Sequence, residues 1–270
     1  MKKVLCMMLL LAAATTVANA QLIVGNDQTG VATIWNVDPM TGTATALYSN
    51  SDGSAKPWGM AYDGATNMLY WNDGSTLYGS PFGATLTPTN LGTMMYNGST
   101  VNFVALGFKD GMLYGTRNIS TEAVYEIDPE TLNSTLVYQY SSSYDFGGID
   151  FDAVTGTMYG LTDSYPSGGQ RGLYEIDVMN QTVTFKAPYP AGETDIDGLA
   201  VYDGIAYYVT DGPNTVQQYF YKYDIASGTM LGTIPSPFTG SGVFAAATWV
   251  PEPASAVLLA LAGLAVLRRR

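Results

Sequence analysis

The 270-residue chain is 47% hydrophobic and 13% charged, which is the composition of a globular protein rather than a disordered or collagen-like one. It contains no histidine and one cysteine, Cys6. This excludes Ser-His-Asp and Cys-His catalytic units, His-ligated zinc sites and intrachain disulfides. The net charge of −12 argues against nucleic acid as a partner, because phosphates need a basic surface. The 30 glycines and 20 tyrosines favour a β-rich, turn-rich fold.

Residues 1–20 have the pattern of a secretory signal peptide. A basic start precedes the apolar run Val4–Val17, and the small residues Ala18 and Ala20 mark a predicted cleavage site after Ala20. Cleavage there would remove Cys6 and leave a chain without thiols. The alternative is an uncleaved N-terminal membrane anchor.

Residues 21–250 contain an internal repeat. Similar segments end in tyrosines spaced 44, 45 and 48 residues apart, namely Tyr70, Tyr114, Tyr159 and Tyr207. Each unit contains four short alternating runs bounded by turn signals. In one unit these runs fall at 147–152, 157–162, 172–177 and 182–187. Four strands at a period in the mid-forties predict an all-β fold built from β-propeller blades.

We predict five four-stranded blades. Four of them are continuous and the fifth combines both ends of the repeat region: 57–93, 103–140, 146–188, 195–237, and 22–48 with 243–250. The first strands are rich in small residues such as Gly59, Gly148 and Gly198, as expected for strands that crowd around an axis. Pairing of the two ends would close the ring and leave no long open edge. The alternatives are a β-sandwich and a solenoid, although an open solenoid would need caps.

The repeat region is strongly acidic, with six basic residues against 22 acidic ones and therefore a net charge of −16. Many of the aspartates precede Pro or Gly between strands one and two or between strands three and four, where they suit tight turns. We assign eight to this role: Asp38, Asp63, Asp110, Asp128, Asp152, Asp177, Asp203 and Asp224.

The opposite face carries the candidate ligand residues, since strands alternate in direction. The loops after second strands contain Asp27, Asp73, Asn118, Asp163 and Asp211. Trp58, Asp145, Asp150, Asp195 and Asp197 lie before or in first strands. Of these ten residues we take eight as candidate ligand residues, namely all but Asp150 and Asp195. An acidic ring with aromatic residues at a channel mouth suits Ca²⁺ or a sugar, although no compact calcium-loop motif is present. The alternative is that Asn and Asp simply favour loops and cap their own backbone.

Residues 251–270 carry a second targeting pattern. Pro251-Glu252-Pro253 precedes the apolar run Ala254–Leu267, which is followed by Arg268, Arg269 and Arg270. The prolines keep their segment extended, and the arginines favour the cytoplasmic side of a membrane. These three parts, in this order, resemble the PEP-CTERM sorting signal of Gram-negative bacteria.

The resemblance covers about the last 20 residues and bears on sorting rather than activity. It implies that signal peptidase and an exosortase, a membrane transpeptidase-like enzyme that cuts near Pro-Glu-Pro, process the chain. It also implies an inner-membrane intermediate held transiently through 254–267, then delivery to the cell surface or extracellular matrix. The apolar run of 14 residues is shorter than the roughly 20 needed to cross a membrane untilted. An ordinary tail anchor is the alternative.

Two functions fit these features. The first is a non-enzymatic surface or matrix module that contacts polysaccharide, a cation such as Ca²⁺, or a surface protein. The second is a glycan-active enzyme that uses two carboxylates, for which Asp145 and Asp197 are the best pair. The absence of catalytic motifs and the short blades, with little loop length to build a cleft, favour the first.

Overall fold

The computed structural model describes residues 21–27, 31–117, 119–120, 122–210, 219–237 and 244–251. Leu22–Val250 form one compact unit. The predicted signal peptide and, apart from Pro251, the predicted sorting tail lie outside the described residues. Across the described ranges we find no helix with the length and apolar character needed to cross a membrane.

The described residues form five sheets, with strands numbered along the chain and blades numbered from the N-terminus. Blade 1 comprises β1 (Gln21–Asn26), β2 (Ala32–Val37), β3 (Ala44–Asn50) and the distant β22 (Phe244–Val250). Blade 2 comprises β4 (Gly59–Asp63), β5 (Met68–Asp73), β6 (Thr76–Pro81) and β7 (Thr89–Thr93). Blade 3 comprises β10 (Ala105–Lys109), β11 (Met112–Thr116), β12 (Ala123–Ile127) and β13 (Asn133–Gln139), and it also carries β8 (Met95–Tyr96) and β9 (Ser99–Thr100).

Blades 4 and 5 have four strands each. Blade 4 comprises β14 (Phe146–Phe151), β15 (Met158–Thr162), β16 (Gly172–Asp177) and β17 (Thr182–Pro188). Blade 5 comprises β18 (Gly198–Tyr202), β19 (Ile205–Val209), β20 (Tyr219–Asp224) and β21 (Thr229–Pro235). The predicted five-bladed propeller is therefore confirmed, and the predicted strand ranges of blade 4 differ from the observed ones by one residue at most.

The innermost strands form a closed ring. β4 packs against β10, β10 against β14, β14 against β18, β18 against β22, and β22 against β4. Small residues permit this approach, because a Cβ on Gly59 would lie 2.6 Å from the backbone nitrogen of Leu106 in the next blade. A Cβ on Gly148 would likewise clash with the carbonyl oxygen of Asp197. The sequence expectation that bulk is excluded near the axis is confirmed at these positions.

The hydrophobic core lies between successive blades, because each sheet buries both of its faces against its neighbours. Trp71 of blade 2 is fully buried in a cluster with Ile23 of blade 1, and its indole Nε1 donates to the carbonyl oxygen of Ala55 at 3.1 Å. Between blades 3 and 4, Phe146 packs in one cluster with Val124. Burial of aromatic side chains at each junction holds the blades together.

The ring closes through β22, which pairs with β1 in the predicted manner. Trp249 of this strand stacks on Tyr207 and Tyr202 of blade 5, with ring centroids 4.8 Å and 5.2 Å apart. Phe244 meets Phe220 of blade 5 edge to face at 5.3 Å. One strand from the C-terminal side therefore completes blade 1 and also fills the junction with blade 5.

Blade 3 departs from the expected four strands. The connection from blade 2 folds into the β8–β9 hairpin, and β8 adds in parallel to the outer edge of β13, with Met95 opposite Asn133. Tyr96 packs edge to face on Tyr125 at 5.0 Å, and the Ser134 hydroxyl donates to the Met95 carbonyl at 2.8 Å. The sequence run here is too short to be recognised as a strand by its periodicity.

The turn aspartates behave largely as expected. Asp38 Oδ1 accepts from the backbone of Met40 at 2.7 Å, and Asp128 Oδ1 accepts from Glu130 at 2.8 Å. Asp110 and Asp203 have positive φ values of 52° and 49° and are followed by glycines that also have positive φ, the pattern of a type I′ hairpin turn.

Asp152 bonds to its own turn in blade 4 and also to the backbone of blade 5. Its carboxylate accepts from the backbone N–H groups of Val154 in blade 4 and of Asp203 and Gly204 in blade 5, at 2.9, 3.1 and 3.0 Å. One side chain therefore joins two blades through charge-assisted hydrogen bonds.

Candidate functional site

Buried polar residues at the ends of the second strands fix the loops of the candidate ligand face. Asn72 is fully buried, accepts from the Gly59 N–H at 3.0 Å and donates to the Phe103 carbonyl at 2.7 Å. Thr116 donates to the Phe146 carbonyl at 2.7 Å, and Thr162 accepts from the Asp145 N–H at 3.0 Å. These bonds tie the ends of the second strands of blades 2, 3 and 4 to the starts of first strands. The residue that follows each anchor, such as Asp73 or Asp163, therefore has a defined position at the rim.

The five first strands begin around one cavity of about 390 Å³, which we call the acidic cavity. Each blade contributes a residue in or just before its first strand, and the second-strand loops of blades 1 and 4 add one each. The lining comprises Asp27, Trp58, Val104, Asp145, Gly147, Asp163, Asp195, Asp197 and Ala245. The cavity therefore lies at one mouth of the propeller axis.

The structure brings together five of the eight candidate ligand residues predicted from the sequence. Asp27, Trp58, Asp145, Asp163 and Asp197 all line the acidic cavity. Asp73 does not line it, but its charge helps to raise the pKa of Asp27. Asn118 and Asp211 lie outside the described residues.

Of the predicted processing residues, only Pro251 falls within the described part of the chain. It follows β22 and is partly exposed. The others lie outside it: Ala18, Ala20, Glu252, Pro253, Arg268, Arg269 and Arg270.

The sequence interpretation placed Asp150 on this face, and that was wrong. Asp150 is buried within β14, where its carboxylate accepts from the Val201 N–H of blade 5 at 2.8 Å and from Phe151 at 2.9 Å. Burial raises its pKa well above the usual value. The period-2 alternation of a strand cannot distinguish a side chain directed at the next blade from one directed at the mouth.

The acids of blades 4 and 5 form the electrostatic centre of the acidic cavity. Burial, followed by repulsion from Asp163 and Asp195, raises the pKa of Asp145. Burial and repulsion from Asp163 raise the pKa of Asp195, which Arg171 partly offsets. The charged forms of Asp145 and Asp195 are thus disfavoured by burial and by the acids that surround them. A cation placed among them would relieve this repulsion.

Asp27, which is also half-buried, lies near a base, as Asp195 does. Burial raises the pKa of Asp27 to about 6, whereas the charge of Lys56 acts in the opposite direction. Basic residues therefore compensate part of the charge beside Asp27 and Asp195, whereas the charges that act on Asp145 are those of Asp163 and Asp195.

A second cavity, of about 380 Å³, adjoins the first and shares Trp58 and Val104 with it. Thr100, Asn102, Arg117 and Ile119 complete its lining, and we call it the Arg117 cavity. The Arg117 guanidinium lies 5.5 Å from the centroid of the Tyr125 ring. The two cavities have opposite charge and a common aromatic wall.

Glu122 links the two cavities electrostatically. Burial and then the charge of Asp145 raise its pKa to about 7, while Arg117 lowers it. Its Oε1 accepts from the Ile119 N–H at 3.1 Å. Among the described residues, its Oε2, the Tyr140 hydroxyl and the Arg117 Nε are buried without a hydrogen-bond partner.

The sequence placed Asp195 on this face, but Asp195 was not among the eight candidate ligand residues, and Glu122 was not considered. The spacing Asp195-Ile-Asp197 favours Asp195, because alternate residues of an extended segment share a side. No sequence signal marks Glu122, whose environment arises from the packing of three separate segments. Among the described residues, no three acidic side chains are grouped as ligands of one metal ion.

Comparison with known proteins gives no family. No protein-family model matches the chain, and no curated protein matches it. Among solved structures it is similar to Kuenenia stuttgartiensis hydrazine synthase, at 14% identity over 66% of this chain and 48% of that one, with a TM-score of 0.42. It is also similar to the computationally designed Ika8 protein, at 14% identity over 78% of this chain and 61% of that one, with a TM-score of 0.37. The chain thus spans less than two thirds of either structure, and neither carries an argument about function.

Proposed function

We propose that the protein is an exported, non-enzymatic β-propeller of the cell surface or extracellular matrix, and that it binds its ligand in the acidic cavity. The observation that carries the binding role is the convergence of all five first strands on one cavity lined by five aspartates and Trp58. Its volume of about 390 Å³ is in the range of small-molecule sites, and convergent polar groups beside an aromatic wall can orient a ligand. Extracellular polysaccharide or a surface protein supplies the ligand.

Retention on extracellular material tests the binding role. The full chain, held in a nonionic detergent, is passed over immobilised matrix polysaccharide and compared with the double variant Asp145→Asn, Asp163→Asn. We expect the immobilised polysaccharide to retain the native chain, whereas the double variant should pass through without binding. Asp110→Asn is the matched control, because Asp110 is exposed in the β10–β11 turn on the opposite face. Equal retention of all three would contradict a role for the acidic cavity.

Export and sorting form a separate part of the proposal, supported by the Pro-Glu-Pro, apolar and arginine pattern of residues 251–270. In the producing cell, we expect the native chain to be shortened at both ends and recovered at the surface or in the matrix. A chain with Pro251→Ala, Glu252→Ala and Pro253→Ala should keep its C-terminal segment and remain with the inner membrane. The mass of the chain in each fraction measures this, and identical masses and locations would oppose sorting by this signal.

A carboxylate-dependent, glycan-active enzyme is the second candidate, and one observation favours it. Glu122 has a pKa raised to about 7 by burial and by the charge of Asp145, and the pKa of Asp145 is also raised, by burial and by Asp163 and Asp195. A carboxyl with a raised pKa near a second carboxyl is the usual acid of glycoside hydrolysis. Release of reducing ends from matrix polysaccharide by the native chain, abolished in Asp145→Asn, would support this candidate over the binding module.

A further inference from the structure

The two adjacent cavities suggest a ligand longer than a single ion or sugar. The acidic cavity and the Arg117 cavity hold about 390 and 380 Å³, both in the range of pockets that bind small molecules. They share Trp58 and Val104, so that a ligand can extend from one into the other across the indole ring. A chain-like ligand fits this arrangement better than a compact one.

Trp58 is held in place as the common wall. Its backbone N–H donates to the Asn72 carbonyl at 2.9 Å, and Asn72 is itself fully buried. Its ring lies beside Gly74, where an added Cβ would be 3.5 Å from the indole and 3.5 Å from Asn102 Oδ1. The aromatic ring and a hydrogen-bonding amide are therefore neighbours. An aromatic face next to an amide suits the apolar face and the hydroxyl groups of a pyranose ring.

The charge of the acidic cavity selects a cationic group. Asp145, Asp163 and Asp195 line this cavity together, and Asp145 is partly desolvated and repelled by the other two. Lys56 acts on Asp27 and Arg171 on Asp195, whereas the charges that act on Asp145 are those of the two acids, so that Asp145 is the position for a ligand cation. A protonated amine there would gain charge-assisted hydrogen bonds, and Trp58 could add a cation–π contribution.

The Arg117 cavity selects against a second amine. Arg117 lines it, and among the described residues its Nε has no hydrogen-bond partner. Glu122, 5% exposed and with Oε2 unpartnered, lies within electrostatic reach of both Arg117 and Asp145. A neutral group can offer a carbonyl oxygen to the guanidinium of Arg117 that lines this cavity without charge repulsion, and an N-acetyl group is such a group.

We propose that the ligand is a partly N-acetylated amino-sugar oligomer, with a free amine in the acidic cavity and an adjacent N-acetylated unit across Trp58 in the Arg117 cavity. This inference rests on the proposed binding role and names its ligand class. A linear polyamine offers the cation but neither a ring face for Trp58 nor a carbonyl for Arg117. A fully acetylated oligomer offers the ring and the carbonyl but no cation.

Calorimetric titration of the full chain in nonionic detergent tests the proposal with four probes. These are a partly N-acetylated glucosamine tetramer, the fully N-acetylated tetramer, the neutral glucose tetramer cellotetraose, and spermidine. We expect the partly acetylated tetramer to bind about tenfold or more tightly than each of the others. Equal binding of spermidine would show a cation site only and overturn the proposal, as would equal binding of cellotetraose or the fully acetylated tetramer.

Variants locate the site. Trp58→Ala should weaken the partly acetylated tetramer about tenfold, Trp58→Phe should restore most of the affinity, and Asp110→Asn should leave it unchanged. If Trp58→Ala does not fold, the comparison of Asp145→Asn with Asp110→Asn carries the test. Failure of the tetramer to bind, while matrix polysaccharide is still retained through Asp145 and Asp163, overturns only the ligand class. Failure of both overturns the proposed function as well.

Discussion

At the scale of single residues, two aspartates at equivalent positions have different hydrogen-bond partners, because the backbone that surrounds them differs. Asp63 of blade 2 and Asp152 of blade 4 occupy equivalent positions in the turn between the first and second strands. Asp63 bonds only within its turn, to Ala65 and Thr66, whereas Asp152 also reaches the backbone of blade 5. A sequence pattern assigns both to turns, because the extra bonds depend on the approach of another blade.

This difference predicts unequal costs of truncation. Asp152→Ala leaves two N–H groups of the neighbouring blade without their acceptor, and should lower the free energy of unfolding by about 2–4 kcal/mol. Asp63→Ala, at the matched position, should cost about 1 kcal/mol, since only its own turn loses support. Denaturant unfolding of both variants measures the contrast. Equal losses would mean that the bonds between blades 4 and 5 contribute nothing.

Glu122 predicts how stability depends on pH. Its folded-state pKa of about 7 exceeds the ordinary glutamate value of 4.5, so the unfolded chain releases this proton first as pH rises. Stability from this group should therefore fall between about pH 4.5 and pH 7, by about 1–3 kcal/mol after allowance for solvent screening. Glu122→Gln keeps an acceptor for the Ile119 N–H but removes the charge.

The thermal midpoints of the native chain and of Glu122→Gln, measured at pH 5 and pH 8, test this expectation. The native chain should lose more stability than the variant on going to pH 8. The same loss in both chains would show that Glu122 is not buried in an unfavourable charged form at high pH.

At the scale of elements, the first strand of each blade serves both architecture and site. Its small residues permit close contact around the axis, and its N-terminal end places a residue at the mouth. In β14, Gly147 lines the acidic cavity while Gly148 faces the Asp197 backbone of blade 5. A substitution that disturbs the packing of β14 at the axis should therefore also change the shape of the acidic cavity.

Substitution of these glycines should therefore be costly. Gly148→Ala places a methyl group against the Asp197 carbonyl oxygen, and should destabilise the protein by at least about 2 kcal/mol. Gly83→Ala is the control, because a Cβ there has no neighbour within 4 Å, and its effect should stay within about 0.5 kcal/mol. A midpoint of thermal unfolding that is equally unaffected in both variants would contradict close packing of β14 on blade 5.

The same scale shows what sequence could and could not provide. Turn signals and alternation predicted the four strands of blade 4 closely, because each strand is bounded by Gly, Asp or Pro. The β8–β9 hairpin was missed, since its two-residue strands depend on an open edge of β13 rather than on their own pattern. Asp150 was misplaced for a similar reason, as its partner Val201 lies 51 residues away.

At the scale of the whole molecule, the repeat predicted both the ring and its closure. The N-terminal repeat unit, residues 22–48, lacks a first strand, and residues 243–250 are predicted to form an extra strand after the last unit. The sequence alone allowed these two segments to be assigned to one blade. Loop residues of different blades could then be assigned to a common face, and five of the eight predicted ligand residues do line one cavity. Charge coupling among Asp145, Asp163 and Asp195 arises only when blades 4 and 5 meet, so their mutual effect could not be read from spacing.

We propose that the first-strand ends of the five blades form a ligand site at one mouth of the axis. Hydrogen–deuterium exchange of the full chain, with and without matrix polysaccharide, measures which segments the ligand protects. We expect slower exchange confined to segments 26–27, 57–59, 103–105, 144–148, 162–164, 195–198 and 244–246, which contain the residues that line the acidic cavity, with turns such as 38–43 and 128–133 unchanged. Slower exchange along the outer strands β3, β17 and β21, or in the turns of the opposite face, would contradict it.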